Sequence, residues 1–274
     1  MTNSPASSQD KIAASWQNNG SVQIAAQACD ISVIVPVMNE QGNIRPLIDE
    51  TVEALQGRDF EIIYINDGSD DGSAEELAQA QADLPMVRVL THQKRAGQSA
   101  AIRSGLLRSR GQLICVLDGD GQNVPADLPH LLDELATIRP AKGMAGGVRT
   151  KRQDSFMRKK ASGFARMIRK NLLKDSHPDS GCGIKVVDRD MFLQLPFFNH
   201  MHRFMPSLVR RAGGVVLAVP VQHRARHAGQ SKYTNLNRAL VGIIDVLGMI
   251  WLLKRQDKSA AVREEIISSK GSSS

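Results

Sequence analysis

The sequence has few aromatic residues, few cysteines and no long apolar run. Phe, Trp and Tyr make up 4% of the 274 residues, whereas proteins that bind single-stranded nucleic acid usually stack bases on aromatic side chains. Cys29, Cys115 and Cys182 are too few and too scattered for a disulfide framework, and none has the paired spacing of a zinc site. We therefore expect a cytoplasmic protein that needs neither disulfides nor zinc and has no nucleic-acid partner.

No segment has the length and apolarity of a membrane span. The longest apolar run, residues 239–253, is interrupted by Asp245, and a spanning helix needs about 20 apolar residues. Residues 1–28 lack the pattern of a secretory signal, so we expect a disordered leader there and a disordered tail over residues 257–274. The apolar helix predicted over residues 236–256 has three possible places: on the catalytic domain, in the membrane interface, or in an oligomer contact.

Segments rich in β-branched residues alternate with helical patterns. The predicted strands are Ile31–Val37, Phe60–Ile65, Met86–Leu90, Gln112–Leu117, Gly143–Val148, Gly183–Val187 and Gly214–Val219, and the predicted helices are Gly42–Leu55, Ser73–Ala82 and Gln98–Arg108. Ser73 and Glu76 have the spacing of a capping box. The alternation predicts an α/β fold, with a mostly parallel, Rossmann-like sheet flanked by helices on both faces.

Polar residues stand where these strands end. Asn39 and Glu40 follow the first strand, Asp67 the second, and Asp118 and Asp120 the fourth. Ligands of open α/β sheets bind at the carboxyl ends of strands. The carboxylates at 118 and 120 suit Mg²⁺ or Mn²⁺ bound together with a nucleotide diphosphate, although a simple Asp- and Gly-rich turn has the same sequence.

Basic residues are concentrated between Arg149 and Lys174, where ten Lys or Arg accompany one acid, Asp154. Within this segment, Ser155–Leu173 has apolar residues at helical spacing, which predicts an amphipathic helix. Such a helix either lies on anionic lipid or packs on the protein core, and the charge alone is also typical of a solvated surface.

Several motifs together resemble those of inverting family-2 glycosyltransferases of the GT-A fold, and within them the dolichol- or polyprenyl-phosphate sugar synthases. They are Val33–Glu40, Asn66–Ser69, Gly97–Ala101, Asp118–Gln122, Asp179–Gly183 and Arg226–Tyr233. The resemblance covers nearly all of residues 30–235. It implies a catalytic domain over residues 29–235, with a nucleotide-sugar half (29–125) and an acceptor half (126–235), followed by a C-terminal amphipathic region.

The resemblance also implies roles for individual residues on the nucleotide-sugar side. It implies contact with the nucleotide sugar by Pro36, Asn39, Glu40 and Asp67. It implies contact with a metal, or with the diphosphate that the metal binds, by Asp118, Asp120 and Gln122. Asp67 can accept hydrogen bonds from a base or a ribose, or it can only cap the following helix.

In the acceptor half, the resemblance implies contact with the acceptor or donor phosphate by Arg226 and Lys232, and we expect Arg203 to join them on the acceptor phosphate. Asp179 is either a carboxylate that aligns the acceptor or acts as a base, or a structural acid in a turn. The related enzymes carry an aromatic residue and an Arg where this chain has Ile184 and Lys185. Lys offers a point charge in place of a bidentate fork, so the role of this position is left open.

The sequence thus predicts transfer of a sugar from a UDP- or GDP-sugar to a polyprenyl phosphate, with inversion and with Mg²⁺ or Mn²⁺. A phosphate monoester needs no general base, because its second pKa is about 6. The expected place is the cytoplasmic face of the inner membrane, with a homo-oligomer possible. The alternatives are a family-2 transferase that acts on a hydroxyl acceptor, and a non-catalytic nucleotide- or nucleic-acid-binding protein.

Overall fold

The computed structural model describes residues 29–150, Leu173, residues 177–225 and residues 235–255. Within them, seven strands form one sheet in the order β3-β2-β1-β4-β6-β5-β7. The strands are β1 (Ile31–Val37), β2 (Phe60–Asn66), β3 (Val87–Thr91), β4 (Leu113–Val116), β5 (Gly143–Arg149), β6 (Lys185–Asp188) and β7 (Val215–Val221). All the predicted strands are therefore present, and each end lies within two residues of the predicted one.

The sheet is mostly parallel, as predicted. The first four strands pair in parallel, and so do β5 and β7. β6 runs antiparallel to both of its neighbours, β4 and β5. Because β4 pairs with β6, the two predicted halves of the catalytic domain share a continuous sheet, and Val116 lies beside Lys185 in the register.

Helices cover both faces of the sheet. They are α1 (Ile44–Ala54), α2 (Ser73–Asp83), α3 (Gln98–Arg108), α4 (Leu128–Ala136), α5 (Arg189–Gln194), α6 (Met205–Arg211) and α7 (Asn235–Lys254), with 3₁₀ turns at Pro125–Asp127 and Met201–Arg203. Side chains of α1, α2 and α4 form one apolar cluster with the sheet, and those of α3, α5, α6 and α7 form another. Along β1, Val33 and Val35 join the first cluster and Ile34 joins the second, as expected for side chains that alternate between faces.

The predicted capping box at the start of α2 is wrong. The hydroxyl of Ser73 accepts a hydrogen bond from the backbone N–H of Glu40 at 2.9 Å. The carboxylate of Glu76 accepts from the backbone N–H groups of Gly42 at 2.7 Å and Arg45 at 2.9 Å. Both side chains therefore bind the loop that leads into α1, because a tertiary contact supplies better donors than the end of their own helix.

The apolar helix α7 packs one side on the domain and exposes the other. Met249 is buried in the second apolar cluster, and the Asp245 carboxylate lies 2.9 Å from Nδ1 of His200. Ile244, Leu247 and Trp251 are 69%, 61% and 60% exposed. Among the described residues, no helix has the length and apolarity to cross a membrane.

Three predictions fall largely outside the described residues. These are the disordered leader over residues 1–28, the disordered tail over residues 257–274 and the amphipathic helix over Ser155–Leu173, of which Leu173 alone is described.

Candidate active site

The candidate site lies where the order of strands reverses. From β1 the chain proceeds to β2 and β3 on one side and then crosses to β4 on the other side of β1. Such a switch point opens a crevice at the carboxyl ends of the two strands, which is where open α/β sheets bind ligands. The predicted residues Pro36, Asn39, Glu40 and Asp118 lie at or within three residues of the ends of β1 and β4, and Asp67 directly follows the neighbouring strand β2.

The glycine between the two aspartates packs on the end of β1. A Cβ atom at Gly119 would lie 2.5 Å from a methyl group of Val37 and 2.9 Å from the carbonyl oxygen of Pro36. No larger residue fits such an approach without moving the strand. The Asp-Gly-Asp segment is therefore part of the crevice wall, which an exposed turn of the same sequence would not be.

The carboxylate of Asp118 is held from two directions. Nε2 of Gln98 donates to one of its oxygens at 2.7 Å. A Cβ atom at Gly183 would lie 2.1 Å from the other oxygen, so only a glycine fits there. Burial, and after it the negative charge of Asp120, raises the pKa of Asp118, and the positive charge of Lys185 opposes this rise. A bound cation would relieve the repulsion between the two carboxylates.

The turn that contains Asp120 and Gln122 is braced by Arg224. The N–H of Gln122 donates to Asp120 at 3.1 Å. The guanidinium of Arg224 donates to the carbonyl oxygen of Gly121 at 2.6 Å and to the carboxylate of Glu50 at 2.9 Å. Residues 226 and 232, which we predicted to bind phosphate, lie outside the described residues. Arg224, which contacts this turn, is two residues before Arg226 in the sequence.

Asp67 fixes the loop that precedes α3. Its carboxylate accepts hydrogen bonds from the backbone N–H groups of Ala96 and Gly97, each at 2.8 Å, and lies 2.7 Å from Nδ1 of His92. The residue is 4% exposed. Asp67 therefore does not cap α2, the helix that follows it, because it accepts hydrogen bonds from the loop before α3.

The loop after β1 is tied to the loop after β2. Asn39 adopts a left-handed backbone with φ of 56°, its side-chain amide hydrogen-bonds the carboxylate of Asp70, and the N–H of Asp70 donates back to the amide oxygen at 3.0 Å. Glu40 accepts from the side-chain amide of Asn43 at 2.9 Å. We refer to the loops 36–40, 66–73, 92–98 and 118–122 as the carboxylate side of the site.

A polar cavity of about 260 Å³ lies at this end of the sheet. Its polar lining includes Gln98 and Asp118 on the one hand and Lys185, His202 and Arg203 on the other. The structure thus brings the predicted metal ligand Asp118 and the predicted phosphate ligand Arg203 to the same cavity. We refer to residues 180–185 and 201–205 as the cationic side.

Lys185 is a buried cation that the sequence left without a role. Its amine donates a hydrogen bond to the carbonyl oxygen of Cys182, and its side chain is 6% exposed. Burial lowers the pKa of Lys185, and the nearby carboxylate of Asp118 opposes this shift. Lys185 therefore places a buried positive charge beside the predicted metal ligand.

His202 separates the polar cavity from apolar residues behind it. Its Nδ1 lies 2.7 Å from the hydroxyl of Ser99. Burial, followed by the positive charges of Lys185 and Arg203, lowers the pKa of His202 to about 3. The imidazole is therefore neutral at physiological pH and adds no charge to this wall.

Asp179 is paired with a basic residue at the end of β5. Nε and Nη2 of Arg149 donate to its two carboxylate oxygens at 2.6 and 2.8 Å. The N–H of Asp179 donates to Nδ1 of His177 at 3.2 Å. This bidentate pair fixes the segment that leads into Gly183, so the carboxylate has a clear structural role.

The aspartate pair fits a hard divalent cation. Within the described parts of the chain there is no group of three or more His, Cys, Asp or Glu side chains that could enclose a metal. Mg²⁺ and Mn²⁺ sites in transferases commonly use one or two protein carboxylates and complete their shell with diphosphate oxygens and water. Asp118 and Asp120, with Gln122 hydrogen-bonded to Asp120 through its N–H, match that type of open site.

Sequence reasoning missed Gln98, Arg149 and His202. Gln98 begins α3 directly after Gly97, and this Gly-Gln pair within a recognised motif was the available signal. No local pattern pointed to the other two, because they reach the site through contacts with residues distant in the sequence.

Comparisons with known proteins agree with this geometry. The family model described as "Glycosyl transferase family 2" matches residues 32–195. The dodecaprenyl-phosphate galacturonate synthase of Rhizobium johnstonii is 30% identical over 237 residues, which are 83% of this chain and 68% of that protein. The undecaprenyl-phosphate 4-deoxy-4-formamido-L-arabinose transferase of Salmonella paratyphi B is 34% identical over 214 residues, 77% of this chain and 64% of that protein. The chain thus spans about two thirds of the length of these curated relatives.

Among solved structures, glucosyl-3-phosphoglycerate synthase from Mycobacterium tuberculosis is similar in fold. Its complex with Mn²⁺, uridine-diphosphate-glucose and glycerol 3-phosphate has a TM-score of 0.62 at 17% identity, covering 94% of this chain and 88% of that one. A second complex of that enzyme holds Mg²⁺ and uridine diphosphate, with a TM-score of 0.62 and 16% identity over 94% of this chain and 87% of that one. At this identity the likeness shows the GT-A fold. Because the family match also covers more than half of the sequence, the chain belongs to glycosyl transferase family 2.

Proposed function

We propose that the protein transfers a sugar from a nucleotide-diphosphate sugar to a polyprenyl phosphate, with inversion at the anomeric carbon. The observation that carries the proposal is the polar cavity, which is lined by Asp118 together with Lys185 and Arg203. A carboxylate that can bind a metal and two cationic side chains in one cavity suit two anionic groups held close together. The names of the curated relatives, which are polyprenyl-phosphate sugar transferases, support the same acceptor class.

On the carboxylate side, Asp118 and Asp120, with Gln122, would hold Mg²⁺ or Mn²⁺ against the diphosphate. When bound, the metal supplies charge neutralisation for the departing nucleotide diphosphate. Pro36, Asn39, Glu40 and Asp67 would form the nucleotide pocket. Of these, Asp67 also orients the 92–97 loop through the N–H groups of Ala96 and Gly97.

On the cationic side, Lys185 and Arg203 would hold the acceptor phosphate, with Arg226 and Lys232 joining them from the segment outside the described residues. Near neutral pH a phosphate monoester is mainly a dianion, because its second pKa is about 6. One of its oxygens can therefore attack the anomeric carbon without losing a proton to the protein. The task of the cations is to hold the two anions in line.

The surroundings of Asp179 favour a phosphate over a hydroxyl acceptor. A hydroxyl acceptor needs a general base. Asp179 is the carboxylate we considered for that task, and both of its oxygens accept hydrogen bonds from Arg149. A carboxylate bound in this way is a weak base. We therefore propose that Asp179 acts by positioning Arg149 and the segment before Gly183.

Membrane attachment is the second element of the proposal. The exposed residues Ile244, Leu247 and Trp251 recur at helical spacing along α7, and the guanidinium of Arg255 lies 5.1 Å from the centre of the Trp251 ring. An apolar stripe that ends in an aromatic and a basic residue is typical of a helix in a lipid interface. We propose that α7 attaches the enzyme peripherally to the cytoplasmic face of the inner membrane, where a polyprenyl phosphate would be available.

Sedimentation with liposomes tests this attachment. We expect the protein to sediment with vesicles that contain anionic lipid at low salt, and Leu247→Glu to weaken sedimentation severalfold. Failure of the wild-type protein to bind vesicles would contradict the proposal. Concentration-dependent dimerisation that Leu247→Glu abolishes would make the stripe an oligomer contact instead.

The activity is tested with a panel of radiolabelled UDP- and GDP-sugars. Each is incubated with undecaprenyl phosphate and Mg²⁺ or Mn²⁺, and the organic phase is analysed for a sugar linked through phosphate. The panel includes glucose, mannose, galacturonate and amino-sugar donors. Transfer to a hydroxyl acceptor but not to the lipid phosphate would favour the alternative family-2 activity. Nucleotide binding without transfer to either acceptor would contradict both.

A further inference from the structure

An apolar pocket adjoins the polar cavity. It has a volume of about 100 Å³ and lies between α3, α5 and the 3₁₀ turn at 201–203. Its apolar lining includes Ile102, Leu106, Phe192, Leu195, Met201 and Met205. All six side chains belong to the second apolar cluster, so the pocket borders the core on the helical face that also carries α7.

The pocket and the polar cavity share a wall. Ile102, His202 and Met205 line both of them. The shared imidazole is the neutral one that lies 2.7 Å from the Ser99 hydroxyl. The cationic lining at Lys185 and Arg203 and the apolar lining therefore adjoin each other, with His202 between them.

The mouth of the pocket is unusually apolar for a protein surface. Leu107 is 56% exposed, and Leu193 and Phe197 are each 40% exposed. The guanidinium of Arg103 lies 4.4 Å from the centre of the Phe197 ring. Exposed apolar side chains grouped around an opening mark a binding site more often than scattered ones do.

On the basis of the proposed function, we propose that this pocket binds the part of the acceptor's isoprenoid chain nearest its phosphate, while the phosphate lies between Lys185 and Arg203. The two adjoining cavities match the two parts of such an amphiphile, an anionic head next to a branched hydrocarbon. An apolar cavity of roughly 150 Å³ is enough to bind benzene. A pocket of about 100 Å³ therefore takes a short section of chain, and the rest leaves past Leu107, Leu193 and Phe197.

Chain-length dependence is the first test. The KM of the wild-type enzyme is measured for a phosphate without a prenyl group and for prenyl phosphates with one, two, three and eleven isoprene units. We expect KM to fall about tenfold or more over the first one or two units and to change little beyond them, because only the first units reach the pocket. A KM that does not depend on the first units would overturn the inference while leaving the proposed transfer intact.

Charged substitutions at the mouth give the second test. Leu193→Glu and Leu107→Glu should each raise KM for undecaprenyl phosphate about tenfold and leave KM for the nucleotide sugar within about twofold. Val215→Glu is the matched control, since Val215 is 38% exposed on β7 and lines neither cavity. Equal effects of all three substitutions would overturn the inference.

Photocrosslinking separates this inference from the proposed activity. A prenyl phosphate with a diazirine in its first isoprene unit is irradiated with the full-length protein, and the modified peptides are mapped. We expect labelling within residues 99–107 and 192–205, and its loss on competition with undecaprenyl phosphate. Labelling confined to α7 or to other surfaces would overturn the inference even if sugar transfer is found. Labelling at these residues without any transfer would support the pocket and contradict the activity.

Discussion

The carboxylate side and the cationic side of the site are built in different ways. On the carboxylate side, backbone N–H groups donate to fixed side-chain acceptors, as in the hydrogen bonds of Ala96 and Gly97 to Asp67. On the cationic side, Lys185 and Arg203 lie next to neutral His202 and an apolar pocket. Rigid hydrogen-bonded loops suit a polar ligand of fixed shape, whereas separate cationic and apolar surfaces suit an amphiphile. The difference between the two sides therefore reflects the difference between the proposed donor and acceptor.

The largest expected effect comes from removing a charge on the carboxylate side. Asp118→Asn and Asp120→Asn should each lower kcat by about 10³-fold or more, because the charge that develops on the diphosphate would lose its stabilisation. Steady-state assays at saturating substrates measure kcat, and circular dichroism checks the fold. Asp133→Asn is the control, because Asp133 is 68% exposed in a surface ion pair with Arg58 and should have little effect. Normal turnover by a folded Asp120→Asn variant would contradict the metal assignment.

The next effect distinguishes the two sides directly. Lys185→Met should lower kcat/KM for the acceptor about 10²-fold, as expected when a charged partner of a phosphate is removed, and change the Kd of the nucleotide sugar less than threefold. Lys185→Arg keeps the positive charge and should retain more activity than Lys185→Met. Calorimetric titration with the nucleotide sugar provides the Kd. A parallel loss of nucleotide affinity would assign Lys185 to the donor instead.

A smaller effect tests the rigidity of the carboxylate side. Asp67→Asn replaces an acceptor of three hydrogen bonds with a group that has one acceptor oxygen, and the position is 4% exposed. The free energy of unfolding should fall by about 1–3 kcal/mol, and KM for the nucleotide sugar should rise. Urea unfolding measures the first quantity. Asp70→Asn, at an exposed position in the neighbouring turn, should cost clearly less; an equal cost would argue against a special role for the 92–97 loop.

The smallest effect concerns the neutral histidine on the cationic side. Its pKa is about 3 in the folded protein and about 6.5 in an unfolded chain. Between these values the unfolded state binds a proton that the folded state does not, so the stabilisation is complete above pH 6.5 and is lost as the pH falls. The contribution is at most about 1.4 kcal/mol per pH unit.

Thermal unfolding between pH 7 and pH 5 measures this contribution. His202→Gln should flatten the fall in melting temperature, and His130→Gln, at an exposed position on α4, should leave it unchanged. If the two variants behaved alike, His202 would not be the group responsible.

Much of the fold was predictable because its signals are local. Buried parallel strands have continuous apolar sequences, and α1, α2 and α3 have clear helical spacing. α4 was not predicted, although Leu128, Leu131, Leu132 and Leu135 have the spacing of a buried helical face. α5 and α6 have six and seven residues, which is too short for a periodic pattern to be distinguished from a loop.

The carboxylate side was more predictable than the cationic side for a physical reason. Parallel strands gather their carboxyl ends at one edge, so polar residues after β1, β2 and β4 could be assigned to one site from the sequence. Lys185 reaches that edge only because β6 is reversed, and His202 reaches it through its contact with Ser99 on α3. The capping-box prediction was wrong for a related reason, since its side chains bind a loop about thirty residues earlier in the sequence.

The reversal of β6 has a consequence for how the family could diversify. β5 ends at Arg149 and β6 begins at Lys185, and because these strands are antiparallel neighbours, both positions lie at the edge of the sheet that holds Asp118. Both ends of the connection between them therefore lie at the active site. Connecting segments tolerate changes in length and sequence better than the strands they join. Under the proposed function, changes in this connection would alter the acceptor side while the strands that carry the nucleotide-binding residues keep their register.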